Sequence, residues 1–489
     1  MISIKNNLRI DLLVAGSVGV LLGLVALLSS PYYALAVLLG IVLALVVVRR
    51  PDFGVIALII ITSTIFRFDS FPGLQIGFGT IYLSDILLFT LLSVVVVRLL
   101  IDKTETILHS PLSIPIFLFV GIALFSTFLA ISKGSLTLTY VLGPARTIAN
   151  YLTFFVVFYL CFDKGQIKNV YNGIILGATF VAILMVLQFI AGPSTRLLAG
   201  RIEILSTEGS LEPGATRIIP PGYPLITIAF ISMMVSFVLE DFRKIKLIKL
   251  LQWGLIGLGV LITYKRHIWG VVAISVFIML FIISWKQRVR IFLLGQTLMF
   301  SIVAVSFLWV QFAPHSKPAI LAESFVERVG SLFQGSTYEA NSSLRWRDFE
   351  YEYAIPQIIS HPVIGLGLGA LYRPFIPHRD HEGFDGRGFI HNGHIAIMVK
   401  SGLLDYLCFI WLAAMFLYRS ITRWRDISDP VLQTIVVGLA LSFLALFLGS
   451  VIEPMIVEWD CTALLGIMVG INEAIILYHG KQRTNEVVV

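Results

Sequence analysis

Long apolar blocks recur along the whole chain, and most are roughly 17–22 residues, the length that crosses a bilayer as a helix. They fall at 11–30, 32–48, 54–66, 82–100, 113–132, 147–162, 172–191, 223–239, 248–264, 267–285, 291–312, 393–418, 431–450 and 461–478. That makes about fourteen candidates, and about twelve to fourteen spans are expected. Lipid offers no water to loose backbone groups, so such blocks must be closed helices. A membrane barrel would alternate apolar and polar residues instead. The expected fold class is therefore all-α, a polytopic transmembrane helical bundle. Composition agrees: 57% of the 489 residues are hydrophobic and 13% are charged, against about 25% charged in a soluble domain. A soluble enzyme, a disordered chain and a disulfide scaffold are excluded. The net charge of +7 calls for no nucleic-acid partner, because positive cytoplasmic loops produce it.

Three blocks need comment. The one at 54–66 is short enough for a re-entrant segment. Blocks 248–264 and 267–285 are divided only around Lys265-Arg266-His267 and are too long for one crossing, so a tight hairpin is expected. Lys5 and Arg9 precede the first block without a convincing small-residue cleavage site, which reads as an uncleaved first helix. Cys161, Cys408 and Cys461 form no CxxC or metal spacing, so no disulfide framework is inferred.

Lys and Arg collect in one alternate set of loops: Arg49-Arg50, Arg98 with Lys103, Lys164 with Lys168, Arg243 to Lys249, Lys286 to Arg290, and Arg419 to Arg425. These should be cytoplasmic, with both termini. The opposite set contains segment 192–222 and the large segment 313–392, about eighty residues, a length that is usually functional or disordered. Its aromatics, from Trp346 to Phe389, argue for order, and 343–360 reads as a helix with Ser342 or Ser343 as N-cap.

Four constellations on the outer side carry possible chemistry. Arg146, Arg217 and Arg266 sit at outer helix ends. Each can simply snorkel to headgroups, or act as a clamp, since guanidinium forks match phosphate oxygens bidentately. The triplet Lys265-Arg266-His267 has no topological reason to be basic there. The stretch 376–397 holds His378, His381, His391 and His394 with Asp380, Glu382 and Asp385. Its HxxH spacings allow a metal, but no HExxH or cysteine supports one, and the aspartates equally suit Arg379 and Arg387. His391, where the loop re-enters the membrane, is the best placed general base; a structural hydrogen bond is the competing role. Gly365, Gly367 and Gly369 alternate with apolar residues and fit close packing or a helix-stopping turn. A nucleotide loop would need a preceding strand and a Lys-Ser/Thr pair. Finally, Glu453, Glu458 and Asp460 can pair with the basic residues or line a sugar surface.

The order of these features resembles the O-antigen ligase and polymerase superfamily of bacterial membrane glycosyltransferases. Arg217 precedes a helix start with Gly222 and Pro224, and Arg266 occupies a short outer turn. An arginine-led helix then runs into the His-Pro-x-x-Gly-x-Gly-x-Gly series, from Arg345 to Gly369. His391-Asn392 opens the next helix, with Lys-Ser-Gly-Leu-Leu behind it. The strong part covers roughly 200–420. Lys265, Asp405 and the Pro220-Pro221 pair depart from the family pattern.

The resemblance implies an inverting, metal-independent glycosyltransferase without a cofactor. It would take a glycan from polyprenyl diphosphate, such as undecaprenyl diphosphate, to a glycan or lipid-linked acceptor, in contact with membrane lipids, on the outer face of the plasma membrane. Arg217 and Arg266 would hold the diphosphate and His391 would act as base, with Arg345, Asn392, Lys265 and Arg146 in support. Residues 1–200 would form N-terminal helices. Residues 201–485 would form the catalytic region, including outer loop 313–392 and helices within 393–478. Polymerase is favoured slightly over ligase. A lipid-linked oligosaccharide flippase is the alternative from another class, and a ligand sensor a third. A flippase calls for charges along a central path within its spans, whereas here they gather at outer helix ends.

Overall fold

A computed structural model describes residues 49–66, 70–71, 73–76, 79–101, 110–204, 216–240, 246–312, 342–376 and 385–487. The helices are α1 (Pro51–Ser63), α2 (Leu83–Ile101), α3 (Ser113–Ser132), α4 (Leu138–Ala149), α5 (Thr153–Leu160), α6 (Lys164–Ala191) and α7 (Tyr223–Leu239). There follow α8 (Leu247–Ile262), α9 (Arg266–Ile282), α10 (Trp285–Phe312), α11 (Ser342–Ser360), α12 (Gly393–Arg423), α13 (Pro430–Gly449) and α14 (Trp459–Val487). Two antiparallel hairpins interrupt them: β1 (Leu74–Ile76) with β2 (Gly79–Ile81), and β3 (Arg201–Ile204) with β4 (Thr216–Ile219). The protein is an all-α polytopic bundle, as its apolar blocks predict. Among the described residues, seven helices are long and apolar enough to cross a membrane, and four shorter apolar helices accompany them. The blocks at 11–30 and 32–48 lie outside the described residues.

Local chemistry sets the helix starts. Asp163 caps α6 by accepting from Gly165 N at 2.8 Å, and Asp429 caps α13 by accepting from Val431 N at 2.8 Å, with Pro430 behind it. The 248–285 stretch breaks into α8 and α9 across three residues, as the hairpin reading requires. The crossing expected at 147–162 begins earlier, at Leu138, and is built from α4, a single 3₁₀ turn and α5. Pro144 and Arg146 lie inside this composite span, and a polar, proline-bearing first half hid it from an apolar-block search.

The core is centred on α14, whose apolar window is 94% buried. A helix apolar on every side belongs inside a bundle. Gly466 and Gly470 sit one turn apart on its face against α5. A Cβ on Gly466 would lie 2.8 Å from Tyr151 O, and one on Gly470 would lie 3.0 Å from Phe154 O. Small residues at that spacing let two backbones approach closely, which is how helices associate where lipid removes the hydrophobic drive.

The two sets of loops gather at opposite ends. At one end Lys164 lies 2.5 Å from Asp429, Arg290 donates to Glu240 O at 3.3 Å and Arg425 donates to Ile282 O at 2.9 Å. At the other, Arg217 donates to Thr263 O at 3.1 Å, Arg347 to Ile452 O at 3.2 Å and Gly393 N to Ser450 O at 2.7 Å. The described part of the large loop is ordered by a small core of its own, in which Ala354 of α11 packs with Tyr372, Ile390, Ala396 and Val399.

Candidate active site

The site begins where α12 breaks. Gly402 has φ 88° and ψ 173°, a conformation essentially reserved for glycine, inside an otherwise continuous helix. The glycine run of the large loop fills the gap. Leu366 N donates to Val399 O at 2.9 Å, Gly367 N to Lys400 O at 2.7 Å and Leu403 N to Pro362 O at 2.7 Å. Backbone groups released by the break are thus satisfied by the loop, a condition that irregular backbone at membrane depth must meet. Gly365, Gly367 and Gly369 all have positive φ. A Cβ on Gly365 would lie 2.7 Å from Gly402 N, and one on Gly402 would lie 2.1 Å from Val363 O. The run is therefore a close-packing device. Gly402→Ala is expected to cost about 3 kcal/mol or more, from combined strain and overlap. A thermal unfolding midpoint equal to wild type would contradict this.

A second element is the turn between α8 and α9. Tyr264 is the single non-glycine residue with positive φ among the described residues, at 48°, and it is buried. This strained turn presents Lys265, whose Nζ forms an ion pair with Glu453 and lies 3.6 Å from the ring centroid of Tyr223. His267 Nε2 lies 2.9 Å from the other oxygen of Glu453. Tyr223 donates to Glu458 at 3.1 Å. Burial raises the Glu453 carboxyl, but Lys265 and His267 outweigh it and hold the group below its ordinary range. Glu458, buried and beside Glu453, is pushed up to about 7. The acidic turn foreseen in the sequence thus carries one firmly ionised carboxylate and one poised near neutrality.

A third element joins α11 to the start of α12. His391 Nδ1 lies 2.7 Å from Glu350 Oε1, and the His391 backbone N donates to Glu350 Oε2 at 2.9 Å. The Glu350 side chain is 1% exposed, that of His391 32%. A buried carboxylate gripping both the ring and the backbone of a histidine fixes the ring's orientation, the arrangement that general bases use. Asn392 is the N-cap of α12, accepting from His394 N at 3.0 Å and Ile395 N at 3.2 Å, and it donates to Tyr351 OH at 3.2 Å.

Lys265 of the turn, Lys400 beside the helix break and Ile390 just before His391 line one cavity of about 650 Å³. Its polar lining includes Arg146, Lys265 and Lys400 together with Glu453, Glu458 and Asp460. Apolar groups such as Leu368, Ile397 and Trp459 complete it. This mixture suits a ligand that is partly anionic and partly apolar.

The structure places the expected residues as follows. Arg146 and Lys265 line the cavity. Arg217 is bound to Glu203 at 3.0 Å and to Thr263 O, so it braces the turn that carries Lys265. Burial lowers the Arg217 guanidinium below its ordinary value, with Glu203 opposing. Arg266 is partly buried at the first position of α9. His391 follows the lining residues Phe389 and Ile390 in the chain and precedes the helix-capping Asn392, but is not itself among the lining residues. Arg345 is exposed in the first turn of α11. His378, Arg379, Asp380, His381 and Glu382 lie outside the described residues. Among the described residues, no group of three His, Cys, Asp or Glu is arranged for a metal. Sequence reasoning missed Glu350 as the partner of His391, since a contact spanning forty-one positions leaves no local pattern. It also passed over Lys400 as a site residue, although a lysine within an apolar block was a visible signal.

Bundle, loop core and cavity together define a multi-pass membrane protein with a polar site at one end. A family model described as O-antigen ligase matches residues 253–410, from within α8 to within α12. That stretch contains the strained turn, the large loop, the glycine run and His391. The match bears out the resemblance to the O-antigen ligase and polymerase superfamily. No curated protein matches the chain.

Proposed function

We propose that the protein is a glycosyltransferase of surface polysaccharide assembly that moves a glycan from a polyprenyl diphosphate to an acceptor hydroxyl. The observation that carries this reading is a cavity lined by Lys265 of the turn and by the acidic segment, with the His391–Glu350 pair directly after its lining residues Phe389 and Ile390 in the chain, and with the turn, the loop and His391 inside the family-matched stretch 253–410. The diphosphate leaves without an acid catalyst, so the protein must stabilise its charge and remove the acceptor proton. Lys265, Arg217 and Arg266 cluster at one turn and frame the diphosphate, although Lys265 and Arg217 already share their charge with Glu453 and Glu203. Arg146 lines the cavity, and Arg345 and Asn392 orient the loop and the acceptor. Glu350 occupies Nδ1 of His391, leaving Nε2 to take the hydroxyl proton. The acceptor oxygen bonds to the anomeric carbon as the carbon–phosphate oxygen bond breaks, and the electron pair departs with the diphosphate. This single displacement inverts the anomeric centre and uses no metal or cofactor.

The cavity faces the outside of the plasma membrane, because lysines and arginines concentrate at the opposite end of the bundle, where the termini would also lie. Polymerase is favoured slightly over ligase. The test is a strain lacking the gene, analysed for lipid-linked intermediates. Accumulated single repeat units identify a polymerase, and long unattached lipid-linked chains identify a ligase. Intermediates trapped on the inner leaflet would instead assign a flippase and refute the enzymatic reading.

A further inference from the structure

We propose that Lys400 is the anion-receiving residue of the cavity, its ammonium taking an oxyanion of the glycan substrate. The oxyanion is either a phosphate oxygen of the lipid carrier or the carboxylate of an acidic sugar. This rests on the reading of the cavity as a glycan site and adds to it a residue and a substrate chemistry.

Among the described residues three Lys or Arg side chains line the cavity, and two already have a carboxylate partner. Arg146 Nε lies 2.6 Å from Asp85, its Nη2 donates to Thr80 O at 2.8 Å, and its guanidinium sits 4.6 Å from the Tyr82 ring centroid. Lys265 is held by Glu453 and the face of Tyr223. Lys400 has no carboxylate within ion-pair distance among the described residues. Among the described residues its one side-chain bond is to Ala370 O at 3.5 Å, the outer limit of a hydrogen bond. The acids of the cavity do not serve it: Glu453 is paired with Lys265, Glu458 accepts from Tyr223, and Asp460 Oδ1 has no hydrogen-bond partner among the described residues.

An ammonium placed inside a membrane bundle without a counter-ion is costly, and such residues mark substrate or ion sites. A lysine at a lipid-facing position would extend its stem to the interface; Lys400 lines the cavity instead. Its backbone is also held firmly. Lys400 O accepts from Gly367 N at 2.7 Å, the preceding carbonyl accepts from Leu366 N, and α12 breaks two residues later at Gly402. Gly388 borders the head group, since a Cβ there would stand 3.6 Å from Lys400 Nζ, an ordinary contact distance. The helix break and glycine run thus fix the backbone from which an unneutralised charge reaches the cavity. An incoming oxyanion completes it.

The experiment uses the purified full chain in lipid nanodiscs and two probes, undecaprenyl diphosphate and methyl glucuronide. Binding is measured for wild type, K400M and K400R. Methionine keeps the stem and removes a buried charge, so folding should be unimpaired, and the unfolding midpoint checks this. If K400M lowers that midpoint, K400Q carries the same comparison. K400M is expected to weaken one probe at least about tenfold, while K400R stays within about threefold. Loss of undecaprenyl diphosphate binding assigns the oxyanion to the carrier, and loss of glucuronide binding assigns it to an acidic sugar. Unchanged binding of both probes by folded K400M overturns the role of Lys400 alone. Wild-type protein that binds neither probe overturns the glycan-site reading and this inference with it.

Discussion

His391→Ala is expected to lower turnover by about 10²–10⁴-fold, the range for loss of a general base. Binding of the lipid-linked donor should change little, because His391 belongs to the acceptor side of the proposed reaction. Glu350→Gln should give a smaller loss, about tenfold or more, since an amide still bonds the ring but no longer stabilises the imidazolium formed on proton uptake. Glu350 is buried against His391, so the alanine variant also strands a carboxylate. His391→Asn, which can still bond Glu350, separates loss of chemistry from loss of folding. The measurement is glycan transfer from a lipid-linked donor in nanodiscs, with unfolding midpoints recorded in parallel. Near wild-type turnover in His391→Asn would remove the base assignment and move attention to Glu458, the carboxyl in the cavity that is poised near neutrality.

Arg419→Ala is expected to be the most damaging change at the end of the bundle opposite the cavity. Arg419 Nε and Nη2 reach the two oxygens of Glu473 at 2.9 and 2.8 Å, and the Glu473 side chain is 1% exposed. Beside them Asn472 donates to Ser420 Oγ at 3.1 Å and to Val436 O at 2.9 Å. Removing one partner of a buried pair leaves an uncompensated charge and costs about 3–5 kcal/mol. Replacing both, as Arg419→Met with Glu473→Leu, should restore most of that stability. Thermal unfolding of the two variants decides the matter. Equal destabilisation in both would mean that the pair itself, rather than a stranded charge, holds α12 to α14.

Much of this architecture was written into the chain. The lengths of the apolar blocks require membrane helices, because lipid leaves backbone groups no other way to bond. The alternation of basic and mixed loops sorted the helix ends into two sets, and the contacts gather those sets at opposite ends. The capping asparagine at 392 and the start of α12 at Gly393 were also visible as a motif. The composite span at 138–160 was not, because apolarity alone does not register a helix that carries Arg146 and Pro144.

The sequence by itself determined the class of fold, the sorting of its loops into two sets and the residue types available for chemistry. Only the tertiary structure decided which of them meet. Periodicity and hydropathy act over a few residues, whereas the joining of Glu350 to His391 and of Lys265 to Glu453, and the threading of the glycine run into the break at Gly402, depend on how distant segments pack. A side chain's charge is legible at its own position. Whether that charge meets a carboxylate, as at Arg146 beside Asp85, or only a carbonyl among the described residues, as at Lys400, is set by what the fold places beside it.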